Sequence, residues 1–156
     1  MSQPHDLKNA KLSYSLVALQ FSFVGILLYL LFIQTPYQFH WVAAGFQGAA
    51  LLLALAAFVH LQKGGMINII PDPKANRSLV TSGPYHYIRH PMYSSILLFF
   101  APTISVQATP DLVLTFVLLT LTLLYKLHYE EQLLSNTLFG YKHYQHESKK
   151  LIPFIY

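Results

Sequence analysis

Two long stretches of the chain contain no charged residue. Residues 12–33 and 41–61 are almost entirely apolar and include no Asp, Glu, Lys or Arg. Each reaches the roughly 20 residues that a helix needs to cross the hydrocarbon core of a bilayer. The pattern therefore predicts two membrane-spanning helices in the first half of the chain.

Two shorter apolar runs follow in the second half, at residues 94–106 and 112–125. They are separated by a short polar segment in which Thr109 suits a helix N-cap and Pro110 suits the first helical position. This order predicts a tight helical hairpin whose ends extend into the membrane interface. With the first two helices, it gives an all-α membrane bundle with spans at about 12–33, 41–61, 91–106 and 110–128.

The composition supports a membrane protein rather than a soluble one. Hydrophobic residues make up 54% of the 156 residues and charged residues only 10%. A soluble domain usually has about 25% charged residues. We therefore expect a single membrane domain over 1–156.

The positive charges lie on one side of this four-span arrangement. None falls in the two predicted loops between paired spans, 34–40 and 107–111. The positive-inside rule then places both termini, the loop 62–90 and the C-terminal segment 129–156 in the cytoplasm. The ten Lys and Arg residues are Lys8, Lys11, Lys63, Lys74, Arg77, Arg89, Lys126, Lys142, Lys149 and Lys150.

The densest polar and aromatic segment is residues 83–93, Gly-Pro-Tyr-His-Tyr-Ile-Arg-His-Pro-Met-Tyr. It lies directly before the third apolar run. Arg89 offers a bidentate donor for carboxylate or phosphate, and His90 and Tyr93 share one face at the start of the predicted helix. Tyrosines also anchor at membrane surfaces, which is the simpler interpretation of the tyrosines alone. The combination Arg-His-Pro-x-Tyr favours a binding site.

A second polar pair, Glu130 and Glu131, follows the fourth run on the same predicted face of the membrane. Adjacent helical residues point about 100° apart, so the two carboxylates face different neighbours. Glu130 lies one turn from Lys126 and is expected to pair with it. Opposite an Arg-His-Tyr group, such carboxylates can hold an ammonium, a ribose diol or a sulfonium-bearing cofactor. A solvated helix end is the alternative.

Several other classes of site are not expected. The chain has no cysteine, so a thiolate nucleophile or ligand is impossible. His86 and His90 have i, i+4 spacing, but Pro91 argues against one helix carrying both, and no metal site is predicted. The basic balance fits membrane lipids better than nucleic acid. No obligate protein partner is indicated.

These residues resemble the isoprenylcysteine carboxyl methyltransferase and phospholipid methyltransferase superfamily. The similarity rests on Leu-Val-Thr-Ser-Gly-Pro-Tyr at 79–85, Arg-His-Pro-Met-Tyr at 89–93 and Glu130-Glu131, with weaker echoes at Phe139-Gly140 and 153–155. It covers roughly the C-terminal half. The order of the motifs around a helical hairpin makes it specific.

The resemblance implies S-adenosyl-L-methionine as methyl donor. Carried over by position, His90, Tyr93 and Glu130 or Glu131 would contact the cofactor. The same comparison implies that Gly83 and Tyr85 shape the loop beside it, and that Arg89 holds a carboxylate of substrate or cofactor.

The resemblance also implies a catalytic role for two of these residues, Arg89 and Glu131. An amine acceptor must lose a proton, for which Glu131 or His90 could serve, whereas a carboxylate acceptor needs no base.

The chain departs from the family at two places. The family usually has Gly two residues after the motif tyrosine, where this chain has Ser95. Tyr141 and Tyr144 keep a Tyr-x-x-Tyr spacing but lie closer to Gly140 than is usual.

The expected function is methyl transfer to a lipid-like small molecule, with a carboxylate such as a prenylcysteine-type acid as first choice. The alternatives are a phospholipid amine N-methyltransferase, a sterol-reductase-like NADPH-dependent enzyme, and a non-catalytic protein on the same scaffold.

Overall fold

The computed structural model describes residues 4–33, 40–63 and 79–156, with side chains described from Lys11 onward. Five α-helices occur in these ranges: α1 (Pro4–Ile33), α2 (Trp41–Lys63), α3 (Pro91–Val106), α4 (Pro110–Thr137) and the short α5 (Tyr141–Glu147). A single 3-10 turn, Gly83–His86, precedes α3. The described ranges contain no β-strand, so the predicted all-α class is confirmed.

The helices cover all four predicted spans. By length and composition, three helical segments can cross a membrane: Lys11–Ile33, Trp41–Lys63 and Pro110–Thr137. The apolar helix α3 has 16 residues, which at about 1.5 Å per residue gives roughly 24 Å, short of a bilayer core of about 30 Å. The interpretations of the loops at 34–39 and 64–78 lie outside the described residues.

Helix α1 packs against α4, and α2 packs against α3. Leucines and aromatic residues from α1, α3 and α4 form the main core, including Leu27, Phe100 and Leu119. Large apolar side chains on the outward faces remain exposed, among them Phe32, Leu52 and Leu114. An apolar outer surface is what lipid contact requires, and the chain is an integral membrane protein.

Helix α4 continues beyond the predicted end of the fourth span at residue 128 and ends at Thr137. Its start matches the expected cap, because the Thr109 side chain accepts a hydrogen bond from the backbone N–H of Leu112 at 3.4 Å. Glu130 and Glu131 consequently lie on a continuous helix and not in a separate tail. This rigid support fixes the directions of both carboxylates.

Residues 148–151, here termed the C-terminal strap, run alongside the segment that leads into α3. Ile88 and Lys149 form an isolated parallel bridge. The backbone N–H of Arg89 donates to the Lys149 carbonyl at 2.7 Å, and that of His90 donates to the Lys150 carbonyl at 3.1 Å. The Ser94 hydroxyl donates to the Leu151 carbonyl at 2.6 Å. The strap thus fixes the start of α3 from a distant part of the sequence.

Candidate functional site

Gly83 occupies the tightest contact in the loop before α3. Its φ is +62°, and a Cβ there would overlap the His60 imidazole at the end of α2. Glycine is required for both reasons, since L side chains rarely adopt a positive φ. The predicted loop-shaping residue Gly83 therefore sets the approach of the 3-10 turn to α2.

Tyr85 anchors the same turn in the interior. Its side chain is buried with Ala57 and Val80, and its carbonyl accepts a hydrogen bond from the Tyr144 hydroxyl. Burial raises the pKa of the Tyr85 phenol to about 12, with smaller contributions from Tyr144 and Glu130. Tyr85 therefore stays protonated at neutral pH and lies within electrostatic reach of Glu130.

Arg89 is held by the protein itself. Its Nε donates to Glu131 Oε1 at 2.5 Å, and both side chains are buried. Its Nη1 donates to the Gln145 carbonyl at 3.1 Å and to the Ser148 carbonyl. The guanidinium therefore connects α4 to α5 and the C-terminal strap.

Glu130 has different partners from its neighbour Glu131. The Tyr93 hydroxyl donates to Glu130 Oε2 at 2.7 Å. The Lys126 ammonium lies 4.0 Å from Glu130 Oε1, an ion-pair distance that is too long for a hydrogen bond. The expected pairing one turn along α4 is present, and Glu130 is the more exposed of the two carboxylates, at 16% against 9%.

His90 lies between both carboxylates. Its ring stacks on Tyr93 with centroids 5.3 Å apart. Nδ1 is 3.7 Å from Glu130 and Nε2 is 3.5 Å from Glu131. Nε2 is buried, and its separation from Glu131 is longer than a normal hydrogen bond, so it has no close hydrogen-bond partner among the described residues.

Two tyrosines of α5 close the site. Tyr141 and Tyr144 are both buried. Burial raises the pKa of the Tyr144 phenol to about 12, and burial followed by the Glu131 charge raises the pKa of Tyr141 further above its ordinary value. The Tyr141 hydroxyl is buried without a hydrogen-bond partner in the described part of the chain. It is a second unmatched polar atom close to Glu131.

One member of the site was not predicted as a functional residue. Lys126 is 6% exposed, and its ammonium donates to Gln20 Oε1 of α1 at 2.9 Å. It also lies 5.2 Å from the centroid of the Tyr93 ring. The available signal was the single amide at Gln20 in an uncharged span, because polar groups within membrane helices are costly and are commonly functional.

We term Arg89, His90, Tyr93, Lys126, Glu130 and Glu131 the carboxylate cluster. The structure brings five of the sequence-predicted residues together there, namely Arg89, His90, Tyr93, Glu130 and Glu131. Gly83 instead packs on α2, and Tyr85 lies beside the cluster. The contacts from Gln145 and Ser148 were missed, because main-chain carbonyls carry no sequence signal.

Ser95, the departure from the family pattern, is buried and makes a hydrogen bond within its own helix. Its hydroxyl donates to the Met92 carbonyl in the same helix at 2.7 Å, and the residue is 5% exposed. A hydroxyl satisfied within its own helix adds little bulk outside it. The serine that replaces the usual glycine therefore adds no unpaired buried hydroxyl.

The cluster fits the cofactor implied by the sequence. S-adenosyl-L-methionine carries a sulfonium, an ammonium, a carboxylate and a ribose diol. Glu130 offers a carboxylate to cations and hydroxyls, and His90 Nε2 and the Tyr141 hydroxyl are buried polar atoms still lacking partners. Unmatched buried polar groups are costly, so a polar ligand would stabilise the site.

Comparison with known proteins agrees with this chemistry. The sequence pattern of the phospholipid methyltransferase family matches residues 38–141, about two thirds of the chain. The match includes the 3-10 turn, α3 and both glutamates. Neither a curated protein nor a solved structure significantly matches the chain. Because the match covers about two thirds of the chain and includes these motifs, the chain belongs to the phospholipid methyltransferase family.

Proposed function

We propose that this protein transfers a methyl group from S-adenosyl-L-methionine to a lipid-like acceptor. The observation that carries the proposal is the pair of adjacent carboxylates on α4 facing Arg89, His90 and Tyr93 at the start of α3. Family membership supports methyl transfer. The apolar outer faces of the helices support an acceptor that arrives through the bilayer.

Each residue of the cluster has a distinct task in this proposal. Glu130, held by the Tyr93 hydroxyl, offers oxygens to the ribose diol or the ammonium of the cofactor. His90 Nε2 and the Tyr141 hydroxyl offer polar contacts from the buried side. Glu131 and Arg89 hold α4, α5 and the C-terminal strap together around the site.

The cofactor supplies a methyl group that is activated by its sulfonium. The protein must align the acceptor with that methyl carbon and exclude water, and it needs no nucleophile of its own. A hydrogen bond to a charged group is worth about 1.5–3 kcal/mol. Removing one such contact to the cofactor should therefore weaken cofactor binding about ten- to a hundredfold.

A carboxylate such as a prenylcysteine-type acid is our first candidate for the acceptor, because it reacts without a base. The second candidate, a phospholipid amine, is favoured by the family to which the chain belongs. An amine must first lose a proton. His90 is better placed to accept it than Glu131, because Glu131 is engaged by Arg89.

Calorimetry on the detergent-purified protein tests the cofactor. S-adenosylhomocysteine should bind, and Glu130→Ala should weaken binding about ten- to a hundredfold, because Glu130 is the carboxylate assigned to the cofactor. Gln132→Ala, at the exposed neighbouring position, is the matched control and should bind normally. Binding of NADPH instead would assign a reductase, and binding of neither would leave a non-catalytic scaffold.

Methylation assays then test the acceptor. A farnesyl-thioether acid and a dioleoyl ethanolamine phospholipid should be compared at equal concentration in mixed micelles. Because each buried CH₂ contributes about 0.8 kcal/mol, we expect a farnesyl acid to be methylated far better than its short-chain counterpart. Equal methylation of small soluble acids would refute a lipid acceptor, and preference for the ethanolamine lipid would select the amine.

A further inference from the structure

Lys126 is an unusual residue for its place in the bundle. It is a cation on a helix long and apolar enough to span a membrane, and only 6% of its surface is exposed. Ionisable residues within membrane helices are expensive, and they commonly mark ligand or ion sites. A structural ammonium at such a position would normally be surrounded by acceptors.

The contacts to Lys126 leave part of its capacity unused. An ammonium has three N–H donors. Among the described residues, its hydrogen bond goes to Gln20 Oε1 at 2.9 Å. Glu130 Oε1 stands 4.0 Å away, so it contributes attraction without a close hydrogen bond. The ammonium can therefore accommodate a further acceptor oxygen.

The depth of Lys126 matches the position of lipid head groups. Helix α4 begins at Pro110, and a rise of about 1.5 Å per residue places Lys126 roughly 24 Å along its axis, near the far boundary of a hydrocarbon core of about 30 Å. A lipid lying beside the bundle has its charged group at this boundary. The same ammonium lies 5.2 Å from the Tyr93 ring, inside the carboxylate cluster.

Arg89 is committed to the protein through Nε, which donates to Glu131, and through Nη1, which donates to two main-chain carbonyls. The cluster therefore contains one cation held in a 2.5 Å ion pair and one whose carboxylate partner stands 4.0 Å away. The second lies on the side of the cluster that faces α1, away from the C-terminal strap.

We propose that Lys126, supported by Gln20, binds the anionic oxygens of the lipid acceptor, a phosphodiester or a carboxylate, and so fixes the reacting head group beside the cofactor. This rests on the proposed function for the identity of the acceptor. Gln20 holds the ammonium in place with a neutral oxygen, and the Glu130 carboxylate 4.0 Å away offsets only part of its positive charge.

Binding of a single-chain probe tests this site without turnover. Dodecyl phosphate and dodecanol should be titrated into the full-length protein in a nonionic detergent, with and without S-adenosylhomocysteine. Wild type should bind dodecyl phosphate at least tenfold more tightly than dodecanol, since charged hydrogen bonds are worth about 1.5–3 kcal/mol. Inorganic phosphate alone should bind far more weakly than dodecyl phosphate, which distinguishes a lipid head group from a free anion.

Two variants locate the contact. Lys126→Gln should abolish the preference for dodecyl phosphate over dodecanol and should weaken dodecyl phosphate binding more than S-adenosylhomocysteine binding, because Tyr93 still holds Glu130. Gln20→Glu puts a carboxylate at the position 2.9 Å from the ammonium. It should abolish the same preference while keeping the lysine, so it decides the question if Lys126→Gln does not fold.

Three outcomes would overturn the proposal. The phosphate preference could survive both substitutions, or inorganic phosphate could bind as tightly as dodecyl phosphate. Alternatively, Lys126→Gln could lower S-adenosylhomocysteine affinity as strongly as phosphate affinity, which would make Lys126 a support for Glu130. Failure of the proposed function is a separate result, namely no S-adenosylhomocysteine binding by wild type.

Discussion

Arg89 and Glu131 form a buried ion pair, with Nε and Oε1 2.5 Å apart and side chains 6% and 9% exposed. Removing one partner of a buried pair leaves an uncompensated charge and typically costs about 3–5 kcal/mol. We expect Arg89→Met and Glu131→Leu each to destabilise the protein strongly. The double variant should lose clearly less than the sum of the two single losses.

A double-mutant cycle on detergent-solubilised protein, read by thermal unfolding, measures this coupling. The exposed pair His143 and Glu147, whose Nε2–Oε1 distance is 3.2 Å, provides the control, because exposed pairs contribute about 0–1 kcal/mol. Additive losses at Arg89 and Glu131 would show that the two side chains are not energetically linked.

Tyr93→Phe removes the hydroxyl that donates to Glu130 at 2.7 Å and keeps the ring stacked on His90. Loss of a hydrogen bond to a charged group costs about 1.5–3 kcal/mol, so we expect S-adenosylhomocysteine to bind about ten- to a hundredfold more weakly. Tyr87→Phe, at a tyrosine that is 54% exposed, is the control. Equal affinities in both variants would remove Tyr93 from the cofactor site.

Gly83→Ala should destabilise the protein more than Gly140→Ala. Both glycines have positive φ, at +62° and +81°, but a Cβ at position 83 overlaps His60, whereas position 140 has nothing within 4 Å. The comparison separates backbone strain, about 1–2 kcal/mol, from the steric clash. Thermal unfolding of the two variants measures the difference, and equal losses would show that His60 can move aside.

The charge distribution predicts that both termini lie in the cytoplasm. Since the chain has no cysteine, single cysteines can be introduced at exposed positions without background labelling. Ala108→Cys, between α3 and α4, should react with an impermeant maleimide in intact cells. His146→Cys, in α5, should react only after the cells are opened. Labelling of His146→Cys from outside would reverse the orientation.

The sequence was sufficient to predict α1 to α4 and most of the cluster, but it did not predict α5 or the 3-10 turn before α3. Long uncharged runs indicate membrane-spanning helices. Arg89, His90, Tyr93 and both glutamates are conspicuous because polar residues are scarce around them. The residues that contact each carboxylate were harder to predict from the sequence. The spacing to Lys126 on one helix could be counted, but the contact with Gln20 depends on how α1 packs on α4.

The role of Arg89 shows the other limit. Its residue type suggests a free anion-binding group, whereas the structure satisfies it with Glu131 and with carbonyls of residues 145 and 148. Those acceptors are main-chain carbonyl groups, which every residue has, so residue type does not identify them. Only the path of the C-terminal strap brings them to the guanidinium, and no periodicity in the sequence encodes that path.

The C-terminal strap also has a consequence for biogenesis. Arg89 and Ser148 are 59 residues apart in the chain, and α3, α4 and α5 all lie between them. During synthesis, the start of α3 emerges long before the C-terminal strap that holds it has been made. The carboxylate cluster is therefore completed only after the hairpin has inserted, so a ligand that binds this cluster would report that the whole second half of the bundle has assembled.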